Sequence, residues 1–381
     1  VEKALESPVA GPTFRSMLGP GRKVALVVDN FARATPAYLI LPRILSMVKE
    51  AGAESFLMVA NGALWEMSHE LLEKKLGKSI LESGIKIIQN RARERQDYAY
   101  VGITSYGTPV WAHKAFLGAD VRLGIGLTQL NLWGYGGGGK IFLPGVCSYE
   151  TIEWNHRLST ARNSSVGVKR TENRIRDDIE EAARLAGLQM VLNVVLNPNA
   201  EILDIKAGSP TATHDSSVAF YDSVYAYKMP SEGPLDVAIS GSFKWDQLFA
   251  HACWSIANLD LVTKPGATII VASPAPKGLG HVTAMKKYMP PSKDGWQNIM
   301  RDLFYRTAEF WDGVIWFKIY EVMLSKKVIV VTEPGNLEAF KDLGMKAVTS
   351  MDSAVQMALD EHGENARVGV LPYGKWLIPT V

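Results

Sequence analysis

Residues Trp133 to His156 read Trp-Gly-Tyr-Gly-Gly-Gly-Gly-Lys-Ile-Phe-Leu-Pro-Gly-Val-Cys-Ser-Tyr-Glu-Thr-Ile-Glu-Trp-Asn-His. An apolar run, Val121–Leu127, leads into this stretch and reads as a strand. Four glycines, Gly136, Gly137, Gly138 and Gly139, end on Lys140. Glycine tolerates positive φ and lets backbone approach a ligand closely. A lysine closing such a loop can meet an anion or act as a nucleophile. Pro144-Gly145 turns the chain, and Tyr149–Leu158 has helical character.

Working outward, strand-like and helix-like segments alternate. Lys23–Asp29 is a continuous apolar run after a basic residue, the pattern of a buried parallel strand. Asp29–Pro36 is a loop, and Tyr38–Ala51 a helix ending at Gly52. Ser55–Asn61 is a second strand, and Ser68 caps a helix that runs through Leu76 and stops at Gly77. Ile85–Asn90 is a further strand, Gly102–Val110 a hairpin, Arg174–Leu185 a helix, and Met190–Leu196 and Ile202–Lys206 strands. Lys228–Pro234 is rich in turn formers and places a domain boundary. Beyond it, Val237–Ser240, Gly266–Ser273, Lys327–Thr332 and Arg367–Leu371 read as strands, with one helix over Asp246–Leu259. The expectation is an α/β protein of two α/β domains with mostly parallel sheets and an interdomain cleft. The domains are 1–233, which carries the glycine loop, and 234–381, which closes the cleft.

Composition limits the function classes. The chain has 381 residues, 47% of them hydrophobic, and a formal net charge of +2, which gives no electrostatic case for nucleic acid. No apolar run is long enough to span a membrane. Val1–Leu18, with Glu2 and Glu6 and no apolar core, does not read as a secretory signal. Two cysteines, Cys147 and Cys253, show no metal-type spacing and suit a reducing cytoplasm.

Gly134, Gly139 and Lys140 fit a phosphate-binding P-loop, but Ile141 stands where its magnesium-binding hydroxyl belongs. A glycine-rich turn with a surface lysine is the plainer alternative. A third reading is that the stretch resembles the signature of the lactate racemase family, roughly Gly-Phe-Ser-Gly-Gly-x-Lys-x-x-x-Pro-Gly followed by Asn-His. Members of that family use a nickel-pincer nucleotide joined covalently to the loop lysine, with the later histidine as protein ligand to nickel. The resemblance implies these roles for Lys140 and His156, spaced as in the family. Gly136 replaces the loop serine. Soft sulfur donors plus imidazole suit nickel(II).

The loop after Asp29 is similar to the family's Asp-x-Thr-Arg-Pro-Thr-Pro. Arg33 and Pro36 match, while Asn30 and Ala32 depart. The resemblance implies that Arg33, with Asn30 beside it, helps hold cofactor or substrate. The family's two acid/base histidines fall at Leu64, followed by Trp65, and at Leu130. A later family motif aligned on Asp246 puts His251 and Trp254 at substrate-facing positions.

A racemase working on two faces needs a proton acceptor for each. Leucine supplies none. His251 becomes the replacement base, with Leu64, Trp65, Leu130 and Trp254 lining an apolar substrate site. His281 and His214 are weaker candidates, and His69, His113 and His362 read as surface residues. The resemblance therefore implies a racemase or epimerase that moves hydride on a hydroxy acid or polyol acid other than lactate. It also implies loading by cofactor-synthesis proteins. The alternatives are a nickel-nucleotide-binding protein without racemase activity and a one-way oxidoreductase on the same cofactor.

Overall fold

The structure is a computed structural model that describes residues 1–229, 233–242, 246–307 and 310–380. The turn-rich segment Lys228–Pro234 lies partly outside that set, as does the side chain of His281. The chain forms two compact units. One comprises Val1–Gln129, Trp133–Ser164 and Val168–Val224, and the other Leu130–Leu132, Ser165–Gly167 and Tyr225–Val381.

The first unit contains, in chain order, β1 (Lys23–Asp29), α1 (Ala37–Glu50), β2 (Glu54–Ala60), α2 (His69–Leu76), β3 (Ile87–Gln89), β4 (Tyr98–Ile103), β5 (Pro109–His113), β6 (Val121–Leu127), α3 (Tyr149–Arg157), α4 (Arg174–Leu185), β7 (Met190–Leu196), β8 (Ile202–Gly208) and α5 (Pro210–Tyr225). Its six-stranded sheet has the order β8-β7-β6-β1-β2-β3. All pairs are parallel except β8 with β7. From Val24 to Val28 every β1 side chain is fully buried, because elements cover both faces. Helix α1 buries Ile40, Leu41, Ile44, Met47 and Val48, one stripe at helical spacing. Each such side chain contributes about 1.5–3 kcal/mol of burial. Ser68 caps α2 by accepting the Leu71 N–H, and Gly77, at φ +90°, ends it. The chain proceeds outward from β1 to β3, then returns to β6 on the other side of β1. The switch point thus lies between β1 and β6. In open α/β sheets a ligand crevice forms there, beyond the carboxyl ends of the strands.

The second unit contains β9 (Leu235–Gly241), α6 (Phe249–Ala252), α7 (Trp254–Asp260), β10 (Thr263–Ala272), β11 (Lys327–Val331), β12 (Lys346–Val348) and β13 (Val368–Leu371). Its all-parallel sheet runs β12-β11-β10-β9-β13. Both main sheets are therefore of the expected α/β kind. The single helix expected over Asp246–Leu259 is instead two, α6 and α7, broken at Cys253, with the chain before Phe249 outside them.

His113 is buried, not superficial. It packs edge-on against Tyr98, and its Nδ1 accepts the Ala115 N–H. His362 is half-buried, with Nε2 2.9 Å from the Thr268 hydroxyl. His69 is exposed.

Candidate active site

Two loops flank the switch point of the first unit. The loop after β1 is tied at its root by Asp29, which is buried. Its carboxylate accepts from the Thr35 hydroxyl and pairs with the buried Lys75 ammonium of α2. Lys75 Nζ also donates to the Arg33 carbonyl at 3.0 Å. Burial lowers the Lys75 pKa, and Asp29 opposes that shift. Asn30 shapes the loop with both ends of its side chain: Oδ1 accepts the Ala32 N–H at 3.0 Å, and Nδ2 donates to the Asn61 carbonyl at 3.3 Å. Phe31 lies 5.6 Å, centroid to centroid, from Trp65, which is 61% exposed, while Leu64 is half-buried.

The loop after β6 carries the glycines and closes in a tight turn over Gly138–Ile141. Their close approach is to protein. A Cβ at Gly137 (φ +88°) would stand 2.4 Å from Thr128 Oγ1, and one at Gly138 (φ +58°) 2.5 Å from Glu180 Oε1. At Gly139 it would meet Ala183 Cβ at 2.8 Å, and at Gly136 the Leu127 carbonyl at 3.2 Å. These glycines pack against α4, α5 and β7.

Lys140 follows directly and is half-buried, its Nζ 5.8 Å from the centre of the Trp133 ring. Burial, then the nearby Arg33 and Arg176 cations, hold its pKa well below the ordinary lysine range. His156, on α3, is buried and meets the same Trp133 ring edge-on at 5.1 Å. Its Nδ1 lies 3.0 Å from the Ile152 carbonyl. A carbonyl only accepts, so Nδ1 carries the proton and the neutral ring has its lone pair on Nε2. Burial, then the charge of Lys140, push the His156 pKa down to about 3. An imidazole neutral at physiological pH, oriented by a backbone carbonyl on its other nitrogen, has the form of a metal ligand. Among the described residues no group of three or more His, Cys, Asp or Glu could hold a metal ion. His156 could thus serve as the protein's ligand to a metal carried by a bound group. A depressed amine and an oriented imidazole on one indole match such a group.

The lactate racemase N-terminal domain model matches residues 1–167, and the lactate racemase C-terminal domain model matches residues 231–378. The chain belongs to the lactate racemase family. It is 23% identical to the lactate racemase of Thermoanaerobacterium thermosaccharolyticum, over 98% of this chain and 88% of that protein. It is 24% identical to that of Lactiplantibacillus plantarum, over 99% and 90%. The solved lactate racemase apoprotein from T. thermosaccharolyticum superposes with a TM-score of 0.92 at 21% identity, covering 100% of this chain and 91% of that one. A Thermotoga maritima protein superposes at 0.74 and 17% identity, covering 100% and 98%. These superpositions show the fold.

Within this family member, the structure brings Lys140 and His156 together on Trp133, and Arg33 lies within electrostatic reach of Lys140. Leu130, His251 and Trp254 belong to the second unit. There Leu130 is buried and His251 is half-buried on α6. Trp254 is buried at the start of α7, with the Lys375 ammonium 4.6 Å from its ring centre.

Sequence reasoning missed the residues that hold the glycine loop: Arg176 and Glu180 on α4, and Thr211 on α5. It ranked His214, also on α5, low. Charges four apart on a helix look solvated in one dimension. These two are 1% and 5% exposed.

Proposed function

We propose that the protein is a racemase or epimerase that uses a nickel-pincer nucleotide, acting on a hydroxy acid or related alcohol other than lactate. The observation that carries this reading is the convergence of Lys140 and His156 on Trp133, one kept as a nucleophilic amine and the other as a neutral imidazole with its lone pair on Nε2. Lys140 would anchor the cofactor covalently, and His156 would ligate its nickel. When bound, the cofactor supplies the hydride acceptor and donor.

The chain's own residues bind, orient and handle protons. Arg33 meets an anionic group beside Lys140. Asn30 keeps the Arg33 loop in shape. Leu64, Trp65, Leu130 and Trp254 supply apolar substrate contacts, and His251 takes the hydroxyl proton. Leu64 and Leu130, at the positions where the family carries its acid/base histidines, favour a substrate bulkier and less anionic than lactate. The same two leucines favour a second reading, in which the chain binds the cofactor without racemising or works as a one-way oxidoreductase needing a single base. Loading by cofactor-synthesis proteins and a cytoplasmic location belong to the proposal. Among the described residues no helix is long and apolar enough to cross a membrane.

The test is intact mass and nickel content of protein made beside the cofactor-synthesis enzymes. The expected result is an adduct mapping to Lys140 and absent in Lys140→Ala, with about one nickel per chain lost in His156→Ala. Neither adduct nor nickel, where a lactate racemase loads in parallel, overturns the reading. Unchanged turnover in His251→Ala removes His251 as the base.

A further inference from the structure

A buried ion pair grips both ends of the glycine turn. Arg176 and Glu180 stand one helical turn apart on α4, with Arg176 Nη2 2.6 Å from Glu180 Oε1. The Glu180 carboxylate accepts the Gly139 N–H with both oxygens, at 2.9 and 3.1 Å, and the Thr211 hydroxyl at 3.3 Å. Arg176 Nη2 donates to the Gly137 carbonyl at 3.2 Å. That carbonyl also accepts the Lys140 N–H at 3.2 Å, which closes the turn. His214 backs the arrangement: its Nδ1 lies 3.3 Å from Arg176 Nη2, and the ring hydrogen-bonds the Gly136 backbone.

We propose that Glu180 and Arg176 are positioning residues for Lys140, holding the tetraglycine backbone so that the lysine leaves it at one place and in one direction. Three features separate this from ordinary core packing. A buried ion pair is weak evidence for stability, since apolar residues of like volume serve as well. Arg176 also keeps Nε and Nη1 buried without hydrogen-bond partners among the described residues, a cost that packing alone gives no reason to retain. Finally, the contacts fall on the peptide groups of the turn that delivers Lys140, and Glu180 comes so close that a Cβ would stand 2.5 Å from its Oε1 at Gly138 and 3.0 Å from its Oε2 at Gly139. The glycines and the ion pair are then two halves of one device, in which a carboxylate and a guanidinium replace the rigidity that four glycines forfeit.

The link to cofactor attachment rests on the function proposed above; the grip on the loop does not. Limited trypsin digestion of the unloaded full chain reads the grip directly, because cleavage of Lys140–Ile141 requires the turn to open. In Glu180→Ala that bond is expected to be cut about tenfold faster than in wild type, with the exposed Lys277–Gly278 bond unchanged as the internal reference. Glu180→Gln keeps an oxygen that can accept the Gly139 N–H and is expected to stay within about threefold of wild type. Thr211→Val removes only the hydroxyl on Glu180, so it gives the milder form of the same effect should Glu180→Ala not fold. Equal protection of Lys140–Ile141 in these variants overturns the proposal. So does acceleration at both bonds alike, which would mark a merely structural role. In protein made beside the cofactor-synthesis enzymes, Glu180→Ala is expected to lose most of the Lys140 adduct. A wild type that carries no adduct while the tryptic pattern holds sinks the cofactor reading and leaves the clamp standing.

Discussion

The two loops at the switch point of the first unit solve one problem by different means. The loop after β1 is held from inside the strand end: Asp29, the last residue of β1, takes a hydroxyl from its own loop and an ammonium from α2. The loop after β6 is held from outside, by a carboxylate and a guanidinium on α4 that bind its peptide groups. Side-chain anchoring leaves the first loop free to carry Phe31 and Arg33, so ordinary residues suffice. The first loop is also bound at its Ala32 N–H and Arg33 carbonyl, but the second lies so close to Glu180 that a Cβ at Gly138 would stand 2.5 Å from Oε1, so glycine stands there. In this loop the glycines let the protein's own side chains come close to the backbone.

Removing one anion or cation should test both anchors most severely. Glu180→Ala strands a buried guanidinium, and Lys75→Met strands a buried carboxylate that keeps the Thr35 hydroxyl. Each is expected to cost about 3–5 kcal/mol in urea denaturation. A loss under about 1 kcal/mol at either site would show that water reaches the remaining charge and that the loop is not anchored there.

Glycine substitution should next separate the tightly packed loop after β6 from a roomier one after β2. Gly137→Ala combines positive φ with a Cβ 2.4 Å from Thr128 Oγ1 and 2.6 Å from Asn193 Nδ2, and is expected to cost about 2–4 kcal/mol. Gly62→Ala, just after β2, has φ +58° but meets Pro144 Cβ only at 3.4 Å, and is expected to cost about 1–2 kcal/mol. Equal losses would show that the close packing around Gly137 costs nothing beyond its positive φ.

The smallest effect is in pH. Burial, then Arg176 and Arg170, hold His214 well below its usual value of 6.5, so it is neutral in the fold and takes a proton when unfolded. A depressed folded value gives stability that is full above about pH 6.5 and is lost as pH falls below it. Between pH 7.5 and 5.5 the wild type should lose about 1 kcal/mol through this residue. His214→Gln should show a correspondingly shallower decline. An identical slope in both proteins would show that His214 is not a neutral strut behind Arg176.

Much was legible in one dimension. The runs Lys23–Asp29, Val121–Leu127 and Met190–Leu196 match strands residue for residue, because strands covered on both faces read as near-continuous apolar runs, broken here only by Arg122 and Asn193 inside them. Ser68 and Gly77 marked the two ends of α2 through the chemistry of helix termini. The segment Asp246–Leu259 misled, since an apolar run carries no mark for a break at Cys253. His113 misled because a histidine beside a lysine looks solvent-facing until Tyr98 is folded over it.

The sequence by itself determined the α/β class, through apolar periodicity. It also determined the family, through a glycine loop, a lysine and a histidine at fixed spacing. Spacing along the chain survives folding wherever the intervening segment is short and rigid, as between Lys140 and His156. Only the tertiary structure decided that Trp133 lies against both of them, and that Gly137, Gly138 and Gly139 sit against Glu180 and Arg176. The last of these depends on α4 folding back onto the glycine loop. Charge and burial are set by that meeting, and no local pattern records it.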